Sequence, residues 1–124
     1  MKELTKAEEQ IMQIIWQIGN GFVNDVIKEI PEPKPAYNTV STIIRILERK
    51  GFVSHKSYGN TYQYFPSVTK SDYTKSYMKG IINNYFGNSY KQLVSFFTKE
   101  NDLSIHELEE IRKILEDEIN KLKD

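Results

Sequence analysis

Residues 36–66 read AYNTVSTIIRILERKGFVSHKSYGNTYQYFP, and this stretch decides the fold of the 124-residue chain. Its first part predicts an amphipathic helix that ends at Gly51, because apolar residues recur at helical spacing. Those residues are Val40, Ile43, Ile44 and Leu47. The second part predicts a β-hairpin, since Phe52–Ser57 and Thr61–Phe65 flank a Tyr-Gly-Asn turn at residues 58–60.

Two further helices are predicted before this stretch. A capping box at Thr5 and Glu8 opens the first, because each side chain can accept a hydrogen bond from an otherwise unpaired backbone N–H. The second helix covers about Asn24–Ile30, and three prolines follow it, which prevents its continuation. Three helices and a hairpin in this order predict a mainly α fold, with a winged helix-turn-helix at residues 1–70.

The remainder of the chain, residues 71–124, is predicted to be a helical dimerisation domain. Helices are expected at Asp72–Phe86, Tyr90–Thr98 and from a second capping box at Ser104 to Leu122. The last helix carries an apolar stripe, yet the tail is too short to build a sizeable core, so pairing with a second copy is the natural solution. The alternative is that the tail folds back on its own winged domain. The predicted interface consists of Tyr85, Phe86, Leu93, Val94, Phe97, Leu108, Ile111, Leu115 and Ile119.

The helix before the hairpin has a polar stripe opposite its apolar face. Asn38, Thr42, Arg45 and Arg49 lie at i, i+4, i+7 and i+11. Short amide and hydroxyl side chains followed by arginines suit a helix placed in a major groove. The predicted base-reading residues are Asn38, Thr39, Ser41, Thr42 and Arg45. Predicted contacts to phosphates or the minor groove are Arg49, Lys56, Tyr58 and Asn60.

Charge and composition narrow the possible functions. Lys and Arg together number 17, as do Asp and Glu, so net charge is zero and a general polyanion binder is excluded. Residues 36–65 contain four basic residues, Arg45, Arg49, Lys50 and Lys56, and one acidic residue, Glu48. This local excess of positive charge is enough for a local DNA footprint. The rival hypothesis is a winged helix used for protein–protein contact, without sequence-specific DNA binding, in which the polar stripe is only solvated.

No feature of the sequence points to an enzyme, a metal or a cofactor. The chain contains no cysteine and two isolated histidines, and it lacks a Gly-rich phosphate loop. No apolar stretch approaches membrane-spanning length, so no membrane insertion is expected. We expect a soluble, cytoplasmic, non-enzymatic protein.

Five segments together resemble the penicillinase repressor family, the BlaI/MecI/CopY group. They are LTKAEEQIMQIIW (4–16), YNTVSTIIRILERKGFV (37–53), SYGNTYQYFPSVTKSDY (57–73), FGNSYKQLVSFF (86–97) and NDLSIHELEEIRKILEDE (101–118). The resemblance implies a homodimeric bacterial repressor of transcription that binds a pseudo-palindromic operator in double-stranded DNA. It also implies, for many members, a membrane sensor-protease system that responds to β-lactams and leads to cleavage in the dimerisation region.

Three positions depart from the family pattern. The copper-responsive branch carries C-terminal cysteine pairs, and this chain has none, which excludes metal sensing of that kind. Many relatives have an arginine after the glycine of the wing, where this chain has Asn60. Antibiotic-responsive members are cut at an Asn-Phe bond, and the matching positions here are Phe96 and Phe97, so Phe96 stands where the asparagine is expected.

Overall fold

The computed structural model describes residues 1–100 and 102–124. In chain order the elements are α1 (Lys6–Ile18), α2 (Val23–Lys28), α3 (Tyr37–Arg49), β1 (Val53–Tyr58), β2 (Thr61–Pro66), α4 (Lys70–Phe86), α5 (Tyr90–Glu100) and α6 (Ile105–Lys123). The chain forms two compact units, Met1–Tyr77 and Met78–Asp124. The predicted domain boundary at residue 70 coincides with the start of α4, whereas the two units divide within that helix.

Helix α1 begins at the predicted capping box. The backbone N–H of Thr5 donates to the Glu8 carboxylate at 3.1 Å, and the N–H of Glu8 donates to the Thr5 hydroxyl at 3.2 Å. The helix ends at Gly19, whose φ of 81° is a left-handed conformation that glycine adopts without a Cβ penalty. This end leads the chain directly into the turn before α2.

Helix α2 is shorter than predicted and ends at Lys28 rather than near Ile30. The last residues close instead with tighter i→i−3 bonds, from Glu29 N–H to Val26 and from Ile30 N–H to Ile27. Pro31 follows and cannot continue the helix.

Helix α3 packs its predicted apolar face into the core. Val40, Ile44 and Leu47 are fully buried, and Ile43 packs partly buried against the same cluster. The helix gives way to Gly51, which has a φ of 87° and lets the chain reverse into β1. The predicted winged helix-turn-helix therefore has its third helix against the core and its polar side outward.

The hairpin is an antiparallel pair in which Val53 lies opposite Pro66 and Tyr58 opposite Thr61. Tyr58 was predicted in the turn, but it belongs to β1, because the turn needs only two residues when Gly59 adopts a positive φ of 60°. The N–H of Gly21 donates to the Tyr64 carbonyl at 2.9 Å, and the Tyr64 N–H donates back at 2.8 Å. These two bonds fix β2 to the turn between α1 and α2.

Long-range side-chain contacts complete the first unit. The Trp16 indole N–H donates to the Val68 carbonyl at 2.8 Å, and the Tyr73 hydroxyl donates to Glu9 at 3.1 Å. Burial is the main cause that raises the pKa of Tyr73 to about 12, and the hydrogen bond to Glu9 is the second. These bonds dock the start of α4 on α1.

The second unit comprises the rest of α4 with α5 and α6. The rings of Phe86 and Phe96 pack at 5.5 Å between centroids. The second predicted capping box is present, with the Glu107 N–H donating to the Ser104 hydroxyl at 3.1 Å and the Ser104 N–H to the Glu107 carboxylate at 3.2 Å. Helix α6 therefore begins where the sequence predicts.

Candidate nucleic-acid interface

The polar stripe of α3 lies on the exposed side of the helix, opposite its buried face. Asn38, Thr42, Arg45 and Arg49 are all exposed, and their spacing keeps them on one side of the helix over three turns. Thr39 is exposed on the flank of this stripe. The helix thus offers amide, hydroxyl and guanidinium groups along one continuous face.

Ser41 departs from the prediction. It is only 8% exposed, because its position on the helix turns it toward the start of α2 and the hairpin rather than toward solvent. Ser41 therefore lies off the exposed stripe, and a base-reading role for it does not follow from this placement.

A groove of about 610 Å³ lies between the start of α2, α3 and β2. Its α3 wall is formed by Tyr37, Ser41 and Arg45, which follow one another at intervals of four residues. Its hairpin wall includes Asn60 and Tyr62. Tyr37 was not predicted as a member of this surface, although the i, i+4, i+8 spacing of Tyr37, Ser41 and Arg45 could have indicated it. Tyr62 suits stacking on bases by its residue type, but a half-buried strand position was expected for it, whereas it is 46% exposed.

Arg45 lies close to the buried Tyr64 of β2. Burial raises the pKa of the Tyr64 hydroxyl, the Glu48 carboxylate adds to that rise, and the Arg45 guanidinium opposes it. Tyr64 is 3% exposed, so its ring forms the floor of the groove. Arg45 therefore leaves α3 on the side that faces the wing.

The predicted wing residues are all accessible. Lys56, Tyr58 and Asn60 are exposed, and Tyr58 packs edge-on against Phe22 at 5.9 Å between ring centroids. The exposed Tyr62 stacks on His55 at 4.2 Å, with their planes inclined by 26°. The wing thus presents one cation, one amide and several aromatic rings.

Lys50, which the sequence analysis counted with the basic cluster, is used inside the fold. Its ammonium group pairs with Glu8 and donates to the Glu3 carbonyl at 3.0 Å. The hydrogen bond from Lys50 is the largest cause that lowers the pKa of Glu8, while burial acts in the opposite direction. The exposed cations of α3 and the wing are consequently Arg45, Arg49 and Lys56.

The predicted dimer-interface residues lie in the second unit and remain accessible. No residue of α5 or α6 is buried. The exposed members are Tyr85, Val94, Leu108, Leu115 and Ile119, and the half-buried members are Phe86, Leu93, Phe97 and Ile111. Leu115 and Ile119 are each 50% exposed. Helix α6 therefore carries an uncovered apolar stripe, and contiguous exposed apolar surface of this kind often marks an interaction site.

The candidate cleavage positions lie within α5. Phe96 is 54% exposed, and Phe97 is half-buried. Both residues have helical backbone, so a protease that binds an extended substrate requires this helix to open locally.

The described residues offer neither a metal site nor a membrane-spanning helix. Within residues 1–100 and 102–124, no group of three or more His, Cys, Asp or Glu side chains could hold a metal ion. In the same residues, no helix is both long and apolar enough to cross a membrane.

Comparison with known proteins agrees with this architecture. Residues 4–117 match the family described as penicillinase repressor. The chain is 35% identical over 114 residues to the methicillin resistance regulatory protein MecI of Staphylococcus aureus (strain N315), covering 91% of this chain and 93% of that protein. It is 28% identical over 123 residues to the penicillinase repressor of Bacillus licheniformis, covering 98% and 96% of the two chains.

A solved structure shows the same fold for the first unit. The solution structure of the DNA-binding domain of the repressor BlaI matches with a TM-score of 0.50 and 31% identity, covering 59% of this chain and 94% of that one. The chain therefore belongs to the penicillinase repressor family, a family of DNA-binding transcriptional repressors that are not enzymes.

Proposed function

We propose that this chain is a homodimeric bacterial transcriptional repressor that acts in the cytoplasm by binding a pseudo-palindromic operator in double-stranded DNA. The observation that carries the proposal is the exposed face of α3, where Asn38, Thr42, Arg45 and Arg49 lie opposite the apolar face that packs into the core. A wing with exposed Lys56 follows that helix directly.

On DNA, α3 would lie in the major groove. Asn38 suits an adenine edge and Arg45 suits a guanine edge, because bidentate hydrogen bonds match those donor and acceptor patterns. Thr39 and Thr42 would add hydroxyl contacts to bases. Contacts to phosphates or the minor groove would come from Arg49, Lys56, Tyr58 and Asn60, which fix register without reading sequence.

Dimerisation would place two such helices on the two halves of a palindrome. The exposed stripe on α6 supports this, since Leu115 and Ile119 each keep 50% of their surface exposed in one copy of the chain. A two-fold symmetric dimer matches the symmetry of a pseudo-palindromic operator. Repression would then follow from occlusion of the promoter by the bound dimer.

Release from the operator would proceed by cleavage in α5, by a protease controlled from a membrane sensor. Cutting at Phe96 or Phe97 separates the first unit from the α6 stripe. Two linked half-site contacts gain about 10²–10⁴-fold in affinity, and cleavage would forfeit that gain. Because the expected asparagine is replaced by Phe96, the protease would have a different specificity from that of β-lactam-responsive relatives.

The experiment is footprinting of the purified full chain on the promoter of its own gene. We expect protection of a pseudo-palindrome whose half-sites lie about one helical turn, or a whole number of turns, apart. Absence of a protected site, combined with uniform weak binding, would favour the protein–protein interaction module instead. Mass spectrometry of the chain from induced cells tests release: a fragment ending between residues 90 and 99 supports cleavage, and intact chain under every inducing condition removes it.

A further inference from the structure

One contact joins the exposed rim of α3 to both strands of the wing. The carboxylate of Glu48 lies 2.6 Å from Nδ1 of His55 on β1. The His55 ring stacks on Tyr62 of β2 at 4.2 Å between centroids and meets the edge of Tyr64 at 5.9 Å. A single imidazole is therefore held by a hydrogen bond to the Glu48 carboxylate of α3 on one side and by aromatic rings of the adjacent strand on the other.

Other links between the wing and the body lie elsewhere. The N–H of Phe52 donates to the Leu47 carbonyl at 2.9 Å at the foot of the hairpin, and β2 is bonded to Gly21 at Tyr64, both through backbone atoms. Side chains of the hairpin also reach the turn before α2, where Tyr58 packs edge-on against Phe22 and the Gln63 amide N–H donates to Asn20 Oδ1 at 3.4 Å. The Glu48–His55 bond acts at the third residue of β1, where it holds the face of the hairpin that is nearest to α3.

Glu48 is also electrostatically out of place for a DNA-binding surface. It lies on α3 with Arg45 and Arg49, and its side chain is 31% exposed. On a surface that contacts DNA a carboxylate repels the phosphates, since exposed charges interact over a Debye length of about 8 Å at physiological salt. A side chain that opposes binding to any DNA calls for another role at this position.

We propose that Glu48 and His55 are positioning residues that set the angle between the wing and α3, and thereby the operators that both can contact at once. This inference rests on the proposed function. A strand of six residues spans about 20 Å, so a rotation of about 10° at its base moves the wing tip by about 3 Å. That displacement is as large as a hydrogen bond is long. Holding the angle selects operators in which the wing and α3 contacts are correctly spaced.

The test compares variants of the full chain on operator and on scrambled DNA. Glu48→Ala removes both the charge and the acceptor, whereas Glu48→Gln removes the charge and keeps an acceptor for the imidazole N–H. His55→Phe keeps an aromatic ring against Tyr62 and loses the hydrogen bond. Glu29→Ala is the matched charge control, because Glu29 is an exposed acid at the end of α2.

Glu48→Ala should bind scrambled DNA more tightly than the wild type, because a repulsive charge is gone. Its preference for operator over scrambled DNA should nevertheless fall about five-fold, the equivalent of one lost hydrogen bond. His55→Phe should show the same loss of preference without the tighter binding to scrambled DNA. Glu48→Gln and Glu29→Ala should keep the preference. Hydroxyl-radical footprints of Glu48→Ala should lose the wing-side protection and keep the major-groove protection.

The inference is overturned if Glu48→Ala and His55→Phe keep the wild-type preference and the wing-side footprint, since Glu48 would then act only as a charge. Thermal melts identify any variant that fails to fold. If Glu48→Ala does not fold, the comparison of His55→Phe with Glu48→Gln decides the question. Failure of the proposed function is distinguishable, because the wild-type chain would itself show no preference for operator DNA.

Discussion

The ion pair between Glu8 and Lys50 joins α1 to the end of α3, and its removal gives the sharpest stability prediction. Glu8 is only 7% exposed, and the side chain of Lys50 is 24% exposed. In Lys50→Met the methylene packing is largely kept, but the carboxylate loses its cation. We therefore expect Lys50→Met to destabilise the chain without changing the exposed face of α3.

The magnitude lies between two reference cases. Breaking a fully buried pair costs about 3–5 kcal/mol, and an exposed pair contributes about 0–1 kcal/mol. Glu8 lies near the surface and keeps its hydrogen bond from the Thr5 N–H, so we expect a loss of about 2 kcal/mol in the free energy of unfolding. In a domain of this size that loss lowers Tm by about 10 °C.

The assay is urea and thermal unfolding of Lys50→Met beside Lys56→Met. The control removes the same charge from an exposed side chain, and its unfolding free energy should stay within about 0.5 kcal/mol of the wild type. The double variant Glu8→Gln with Lys50→Met should recover most of the loss, because the unpaired charge is gone. Equal destabilisation by Lys50→Met and Lys56→Met would refute the reasoning.

The pair also predicts a pH dependence. The pKa of Glu8 is lowered in the folded chain, from an ordinary value of 4.5. The folded state therefore binds a proton less readily, and the stability contributed by this group is fully present above about pH 4.5 and is lost as pH falls through the folded pKa. The difference in unfolding free energy between the wild type and Lys50→Met should accordingly narrow below pH 4.5. A difference that stays constant from pH 7 to pH 3 would contradict this assignment.

Four further variants test the interface and the fold. Arg45→Ala should cost about 1–3 kcal/mol in operator binding and relax base preference, whereas Lys56→Ala should weaken binding to all DNA alike; fluorescence anisotropy on operator and scrambled duplexes separates the two. Lys34→Met removes an ammonium that donates to three carbonyl oxygens at the end of α2, at 2.7–3.1 Å, and should cost about 1 kcal/mol in urea unfolding. Leu115→Glu should convert the proposed dimer to a monomer by light scattering; a wild-type chain that is already monomeric at micromolar concentration would contradict the dimer.

Local patterns in the sequence predicted much of the fold correctly. Both capping boxes form, because a Ser or Thr and a Glu three residues later interact within a single helical turn. The buried and exposed faces of α3 follow from its helical spacing, and the wing follows from the glycine at its turn, although the turn is one residue shorter than predicted. These features depend on residues that are neighbours in the chain.

Contacts between distant residues were not predictable in the same way. Lys50 reads as one more base beside Arg49, and its partner Glu8 is 42 residues away. By its spacing Ser41 fits the polar stripe, but it is buried in the wall of the groove between α3, the start of α2 and the hairpin. Glu48 reads as an isolated acid, while its partner His55 lies across a chain reversal at Gly51. In each case the local sequence pattern is compatible with several roles for the polar residue, and the tertiary packing decides among them.

The measurement that tests the central proposal most directly is the salt-dependent affinity of the full chain for its operator and for a scrambled duplex of equal length. The account predicts a preference of at least about 10³-fold for the operator at physiological salt. It also predicts that affinity for both duplexes falls steeply between 50 and 200 mM salt, as phosphate contacts release counterions. Equal affinities for the two duplexes, or affinities that salt does not change, would contradict it.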